Sequence, residues 1–122
     1  MRFSLFQFQM TREYAEVVNA VGWETAIAAN PEIMIHREVK FGGSAEFQPW
    51  MFDHYQVVAQ ITANGLDEVF HIGNGYGDQD KIVRLERMHS MSVGDVVLCH
   101  DTNTYFMCDP MGWTAVDIKE AA

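Results

Sequence analysis

The chain has 122 residues, which fits one domain spanning residues 1–122, and 48% of them are hydrophobic, enough for a buried core. Its net charge of −9 argues against direct DNA or RNA binding, because neutralising phosphates needs a basic face. We interpret the charge mainly as a source of solubility. The alternative is an acidic face that engages a basic protein partner.

The N-terminus and the cysteines indicate a cytoplasmic protein. The first nine residues carry one positive side chain and are interrupted by Ser4, Gln7 and Gln9, unlike the apolar block of a signal peptide. No apolar run is long enough to span a bilayer, and we expect no membrane contact. Cys99 and Cys108 are too few for a disulfide framework, so we expect two reduced thiols.

The first half of the chain predicts one strand followed by helices. Residues 2–9 alternate imperfectly, as in a strand covered on both faces. Thr11 is suited to cap a helix that ends at Gly22. A second short helix is predicted over 23–29, and Pro31 begins a third helical segment.

The second half predicts mainly strands. Residues 55–63 show the clearest alternation in the chain, which is typical of a strand with one buried face. A short helix is predicted over 66–70, a flexible glycine-rich loop over 73–77, and an edge element of undecided type over 82–85. The remaining predicted strands are 96–99, 105–108 and 113–118, the first two joined by a tight hairpin.

Strands and helices are segregated along the chain, which predicts an α+β fold with a mostly antiparallel sheet of about five strands. The helices of residues 12–50 are expected to pack on one face of the sheet. The predicted core consists of Phe3, Leu5, Val17, Val21, Trp23, Ile27, Val57, Ala59, Ile61, Val69, Phe70, Val96, Leu98 and Phe106.

The segment from His89 to Asp95 carries the strongest local signal. Gly94 and Asp95 predict a turn before a strand, and we expect Ser92 and Asp95 to hydrogen-bond to nearby backbone. The segment also contains the residue types of a hydrolytic triad, but no nucleophile elbow surrounds its serines. We therefore predict no catalytic residues and interpret the following as structural: His89, Ser90, Ser92, Gly94 and Asp95.

The histidines and the glycine-rich loop suggest neither metal nor phosphate chemistry. The five histidines are scattered without zinc-motif spacing, so we predict no metal site and no cofactor. Residues 73–77 superficially resemble a phosphate cradle but lack its Gly-Lys-Ser/Thr ending. Tyrosine is enriched among residues that dominate interfaces, and Tyr76 lies at the tip of this loop. The candidate partner-binding residues are Tyr76, Asp78, Asp80 and Trp113.

Five segments carry a family resemblance, together with Asn74: residues 3–7 (Phe-Ser-Leu-Phe-Gln), 55–59 (Tyr-x-x-Val-Ala), 66–70 (Leu-Asp-Glu-Val-Phe), 89–96 (His-Ser-Met-Ser-Val-Gly-Asp-Val) and 105–113, which ends in Gly-Trp. Together they resemble the YodL-like family and related small proteins of phages and plasmids. Met91 and Trp113 depart mildly from that family's usual Leu and Phe. The resemblance implies an accessory protein of a mobile element, associated with action against host defences, and brings no catalytic residues.

Three functions are compatible with the sequence. The first is a small acidic mobile-element protein that binds a host or defence-system protein and inhibits the defence. The alternative from the enzyme class is a small hydrolase or transferase that uses His89, Asp95 or Cys99. The third is a homo-oligomeric accessory protein, such as a homodimer joined through an exposed sheet edge. We expect the outer surface of the protein, rather than a cleft, to act.

Overall fold

The structure, a computed structural model, describes residues 1–118 and contains a six-stranded antiparallel sheet. The strands are β1 (Arg2–Gln7), β2 (Gln56–Thr62), β3 (Ile82–Arg84), β4 (Val96–Cys99), β5 (Thr104–Cys108) and β6 (Trp113–Val116). Their order across the sheet is β3-β2-β1-β4-β5-β6. The N-terminal strand β1 is therefore central, with β2 and β4 on its two sides.

The helices form two groups, one before β2 and one after it. The first group comprises α1 (Arg12–Val21), α2 (Trp23–Ala29), a π-helical turn (Ile35–Val39), α3 (Lys40–Gly42) and two 3₁₀ turns (Gly43–Ala45 and Pro49–His54). The second comprises α4 (Leu66–Gly73) and a 3₁₀ turn (Gln79–Lys81). Within residues 1–118, no helix combines the length and the apolar character that crossing a bilayer requires.

The sheet is covered on both faces, and each face has its own core. One face carries Phe3 and Leu5 of β1 and is covered by α4. The other face carries Phe6 and is covered by the residues between β1 and β2, among which Val39 and Met51 are fully buried. A central strand with apolar side chains on both sides explains the imperfect alternation in its sequence.

The predicted α+β fold with a mostly antiparallel sheet is confirmed, with two differences. The sheet has six strands, because the undecided element near residue 82 is the edge strand β3. The helical region before β2 covers one face as expected, whereas α4 covers the opposite face. The predicted start and end of α1 are also confirmed, since the Tyr14 amide donates to Thr11 Oγ1 and Gly22 has φ +83°.

The predicted core is confirmed in part. The assignment of Val21, Trp23 and Phe70 to the core is wrong, because these residues are 51%, 37% and 40% exposed. The first two flank Gly22 at the exposed junction of α1 and α2, and Phe70 lies on the outer side of α4. The buried members are Phe3, Leu5, Ala59, Ile61, Val69 and Val96, and the half-buried ones are Val17, Ile27, Val57, Leu98 and Phe106.

The hairpin between β4 and β5 is wider than a tight hairpin. Cys99 pairs with Thr104, so four residues form the loop. Asn103 closes it with φ +53°, a left-handed conformation that asparagine tolerates better than most residues. Cys99 and Cys108 are both buried and are not joined in a disulfide.

Asp109 fastens the segment after α3 to the turn between β5 and β6. Its Oδ1 accepts a hydrogen bond from the Ser44 amide (2.7 Å), and its Oδ2 accepts from the Ser44 hydroxyl (2.9 Å) and from the Thr114 hydroxyl. Gly43 precedes this clamp with φ +64°, and a Cβ at this position would overlap Asp109 Oδ1. The clamp therefore requires glycine at position 43.

We expect Gly43→Ala to lower the free energy of unfolding by about 2 kcal/mol, measured by urea unfolding. Alanine is disfavoured by about 1–2 kcal/mol in a left-handed conformation, and its methyl group must also displace the Asp109 carboxylate. Gly75→Ala is the matched control, because Gly75 has φ +88° but a Cβ there would meet nothing within 4 Å. Equal losses in the two variants would show that the clamp contributes nothing.

Candidate functional site

The last residue of β1, Gln7, is fully buried and binds both ends of the segment 89–95. Its Nε2 donates to the His89 carbonyl (2.9 Å) and to Asp95 Oδ2 (3.0 Å), and its Oε1 accepts from the His89 amide (3.2 Å). Gln9 Nε2 also donates to Gln7 Oε1 (3.5 Å). A buried side-chain amide with four hydrogen bonds holds its partners in a defined arrangement. The central strand therefore positions the segment that carries the strongest sequence signal.

Asp95 is a buried carboxylate with an incomplete set of hydrogen bonds. Its Oδ2 accepts from Gln7 and from the Ser92 amide (3.0 Å), and the Asp95 amide donates to the Ser92 carbonyl (3.1 Å). No residue between 1 and 118 donates to its Oδ1. Burial raises the pKa of Asp95 to about 6, although the charges of His89 and Lys40 and the two hydrogen bonds oppose this shift.

Tyr55 holds the turn of segment 89–95 from the opposite side. Its hydroxyl donates to the Gly94 carbonyl at 2.6 Å. Burial, followed by the charge of Asp95, raises the pKa of Tyr55, so the hydroxyl remains a donor at neutral pH. Gly94 has φ +92°, and a Cβ there would lie 3.3 Å from Val39. Glycine is thus suited to this turn by its backbone conformation and by the close approach of the π-helical turn.

Segment 89–95 and the π-helical turn line a cavity of about 250 Å³ that is open to solvent. The i→i+5 hydrogen bonds of π-helical turns are rare, and such turns occur frequently at functional sites. Here the turn and the residue after it bring His36, Val39 and Lys40 to the wall of one cavity. The polar side chains that line the cavity include those of His36, Lys40, Tyr55, His89 and Asp95.

His36 is held against an aromatic ring. It stacks on Trp23 with 6.2 Å between the ring centroids and 11° between the ring planes. Burial, followed by the charges of Lys40 and His89, lowers the pKa of His36. The neutral imidazole, which can both donate and accept, is therefore the favoured form at pH 7.

His89 lies between two carbonyl oxygens. Its Nδ1 is 2.8 Å from the Ser90 carbonyl, and its Nε2 is 3.4 Å from the Phe8 carbonyl. A carbonyl can only accept, so only a doubly protonated ring could donate to both. Ser90 itself is exposed and lines a separate surface depression instead of the cavity.

A second candidate site lies on the outer side of α4. Phe70 and His71 line two neighbouring depressions of about 590 Å³ and 430 Å³. Trp113 lines the larger one and Tyr76 the smaller one. Tyr76 is 64% exposed and stacks on His71 with 5.4 Å between the ring centroids. We call these four residues the aromatic surface.

The loop that carries Tyr76 is fastened to α4 by hydrogen bonds. Gln79 Nε2 donates to the Tyr76 carbonyl (2.7 Å) and to the Ile72 carbonyl (3.1 Å). The Tyr76 amide donates to the His71 carbonyl (3.1 Å). An anchor that is already in place loses less conformational entropy on binding, so this arrangement suits an interface.

Carboxylates flank the aromatic surface. Asp67 and Asp109 line the larger depression, and no Lys or Arg of residues 1–118 lines either depression. Asp78 and Asp80, which follow the loop, are exposed, and the Asp80 amide donates to Asp78 Oδ1 at 3.0 Å. The structure thus brings two of the four predicted partner-binding residues to one surface and gives Asp78 a local capping role.

The chain matches no protein-family model, no curated protein and no solved structure. In the part of the chain that the structure describes, no three His, Cys, Asp or Glu side chains are grouped to hold a metal ion.

The cavity is the feature that the sequence interpretation did not anticipate. Four residues assigned to turns or to structure also line it, namely His89, Ser92, Gly94 and Asp95. The other polar lining side chains come from segments far away in the chain, where no local pattern marks them. The sequence places His36 and Lys40 four residues apart, on one face of a helix. This spacing is equally typical of an exposed helix, so it does not indicate a cavity.

Proposed function

We propose that this chain acts by protein–protein binding, and that its aromatic surface engages a partner that presents a basic segment. The observation that carries the proposal is the aromatic surface itself. Phe70 and Tyr76 are large, exposed rings beside a half-buried Trp113 and next to carboxylates. Exposed aromatic patches rimmed by polar groups are typical of protein interfaces.

The charge of the chain favours a basic partner. The net charge is −9, and Asp67 and Asp109 flank the larger depression. Burial opposes ionisation of Asp109, but hydrogen bonds from Ser44 and Thr114 outweigh it and lower the pKa of Asp109, so this flank is anionic at neutral pH. A second copy of the chain would present the same acidic flank, which makes it a poorer occupant than a basic protein.

The resemblance to YodL-like proteins extends this proposal. The partner would be a host or defence-system protein, and its binding would inhibit the defence. A partner that itself binds nucleic acid would carry the basic surface that the acidic chain attracts.

Peptides selected from a random library on the immobilised chain are expected to be rich in Lys and Arg. They should lose at least about tenfold in affinity for the double variant Phe70→Ser/Tyr76→Ala, because truncating aromatic anchors removes most of an interface's energy. Biolayer interferometry measures the affinity of the peptides for both proteins at low and high salt. The affinity for the natural chain should fall as the salt concentration rises.

Phe41→Ser is the matched control, since Phe41 is 77% exposed but lies outside both depressions. The selected peptides should bind this variant as tightly as the natural chain. Peptides that bind the double variant equally well, or that carry net negative charge, would contradict the proposal.

A small hydrolase or transferase is a second candidate function, favoured by the cavity where His89 and Asp95 meet the second imidazole of His36. Titratable groups with shifted pKa values in a cavity are candidates for acid–base chemistry. Within residues 1–118, however, no serine or cysteine side chain hydrogen-bonds to either imidazole. The contact between Ser4 Oγ and His100 Nε2, at 2.7 Å, involves a buried serine in the sheet.

A further inference from the structure

We propose that the cavity between segment 89–95 and the π-helical turn binds a small zwitterion of the α-amino-acid class. The ammonium group of the ligand would lie on Asp95 and its carboxylate on Lys40. This site adjoins the larger depression at Ser92 and Val93 but contains none of the four residues of the aromatic surface. It does not depend on the protein–protein binding proposed above.

Asp95 supplies the negative pole of the cavity. It is 3% exposed, and its two hydrogen-bond donors are neutral amides that both reach Oδ2. Within residues 1–118, no Lys or Arg forms an ion pair with it. A buried carboxylate is costly unless a donor or a cation compensates it. The remaining oxygen, Oδ1, is not fully buried and can accept a charged hydrogen bond from a ligand in the cavity.

Lys40 supplies the positive pole. It follows the π-helical turn, is exposed at the cavity, and forms no ion pair among the described residues. A lysine ammonium is a compact point charge that suits a carboxylate. His36 lines the same cavity and, as a neutral imidazole, can donate a further hydrogen bond to that carboxylate.

The two poles together favour a ligand that carries both charges. A ligand with only a negative charge would be repelled by Asp95, and a ligand with only a positive charge would be repelled by Lys40. A ligand with both charges satisfies both poles.

The size and the apolar lining of the cavity point to a small molecule. Its volume of about 250 Å³ is below the roughly 300–1,000 Å³ of pockets for drug-sized ligands. Apolar side chains complete the lining and would contact a short aliphatic side chain of the ligand. They are Phe8, Ile35, Val39 and Val93.

Calorimetric titration of the whole chain with L-alanine, L-valine and L-leucine tests the proposal. The best of the three is then compared with the two molecules that each lack one charged group, which for L-valine are isobutylamine and isovalerate. We expect at least one amino acid to bind about tenfold more tightly than either single-charge molecule, because each charge meets its own pole.

Variants at the two poles should change the preference in opposite ways. Asp95→Asn should weaken binding of the amino acid about tenfold but leave binding of the matched carboxylic acid unchanged. Lys40→Gln should also weaken binding of the amino acid about tenfold but leave binding of the matched amine unchanged. Asp101→Asn and Lys81→Gln are the matched controls, at exposed positions outside the cavity. Thermal melting checks the fold, and the exposed Lys40 keeps the test decisive if Asp95→Asn unfolds.

Three results would overturn the proposal. The first is that none of the three amino acids binds. The second is that the acid or the amine alone binds as tightly as the amino acid. The third is that Lys40→Gln leaves all affinities unchanged. The peptide experiment tests Phe70 on α4 and Tyr76 in the loop that follows, and neither residue lines the cavity. Failure at the cavity and failure of the aromatic surface are therefore distinguishable.

Discussion

Replacing Gln7 with leucine is expected to lower the free energy of unfolding by about 4 kcal/mol. Leucine fills a similar space but can neither donate nor accept. The substitution leaves the amide and the carbonyl of His89 without their partner and removes one of the two hydrogen bonds to Asp95. Each buried polar group that loses its partner costs about 1–3 kcal/mol. Urea unfolding followed by circular dichroism measures the loss.

Gln56→Leu is the matched control for this prediction. Gln56 pairs with Gln7 across β1 and β2, but its side chain is exposed. Its replacement should change stability by no more than about 0.5 kcal/mol, as for most surface substitutions. A loss below about 1 kcal/mol in Gln7→Leu would show that β1 does not anchor segment 89–95.

The second large effect is a pH dependence that comes from Asp95. Burial raises its pKa from 3.8 to about 6 in the folded chain, so the folded state binds this proton more tightly than the unfolded state. The resulting stabilisation is fully present below pH 3.8 and is lost as the pH rises through about 6. The size of the shift corresponds to about 3 kcal/mol.

Comparing the natural chain with Asp95→Asn isolates this contribution. Asparagine does not titrate, and the other acidic groups contribute nearly equally to both proteins. The stability of Asp95→Asn relative to the natural chain should therefore rise by about 3 kcal/mol between acidic and neutral pH. Urea unfolding across that range measures the difference, and a difference that does not change with pH would contradict the prediction.

Asp109→Asn provides a control with the opposite sign. Burial disfavours the charged form of Asp109, but hydrogen bonds from Ser44 and Thr114 outweigh burial and lower its pKa. Its ionised form therefore stabilises the fold above the unfolded pKa, and this contribution is lost as the pH falls. The stability of Asp109→Asn relative to the natural chain should rise on acidification, the reverse of Asp95→Asn.

The burial of Asp95 connects these predictions with the cavity. The same burial that raises its pKa holds the carboxylate at the wall of the cavity, with no donor to Oδ1 among residues 1–118. A ligand cation would compensate part of that cost. Natural chains commonly keep such unfavourable local arrangements at functional sites.

Features that depend on neighbours in the chain could be predicted from the amino-acid sequence. The two-sided pattern of β1, the alternation of β2, the Thr11 cap and the turn at Gly94 all follow from local periodicity or from the backbone preferences of single residues. The same local signals explain why the α+β class could be predicted.

The contacts between distant residues depend on how the strands pair and how the helices pack. The pairing of β1 with β4 places Phe6 opposite Val96, and this register brings Asp95 to the buried Gln7. Packing of the helical segment over the same end of the sheet then brings Lys40 to Asp95, 55 positions away in the chain. Hydrophobic burial drives such contacts without regard to sequence separation, so no local pattern records them. The outward position of Phe70, which the pattern assigns to the core, has the same cause: the sheet packs against the opposite side of α4.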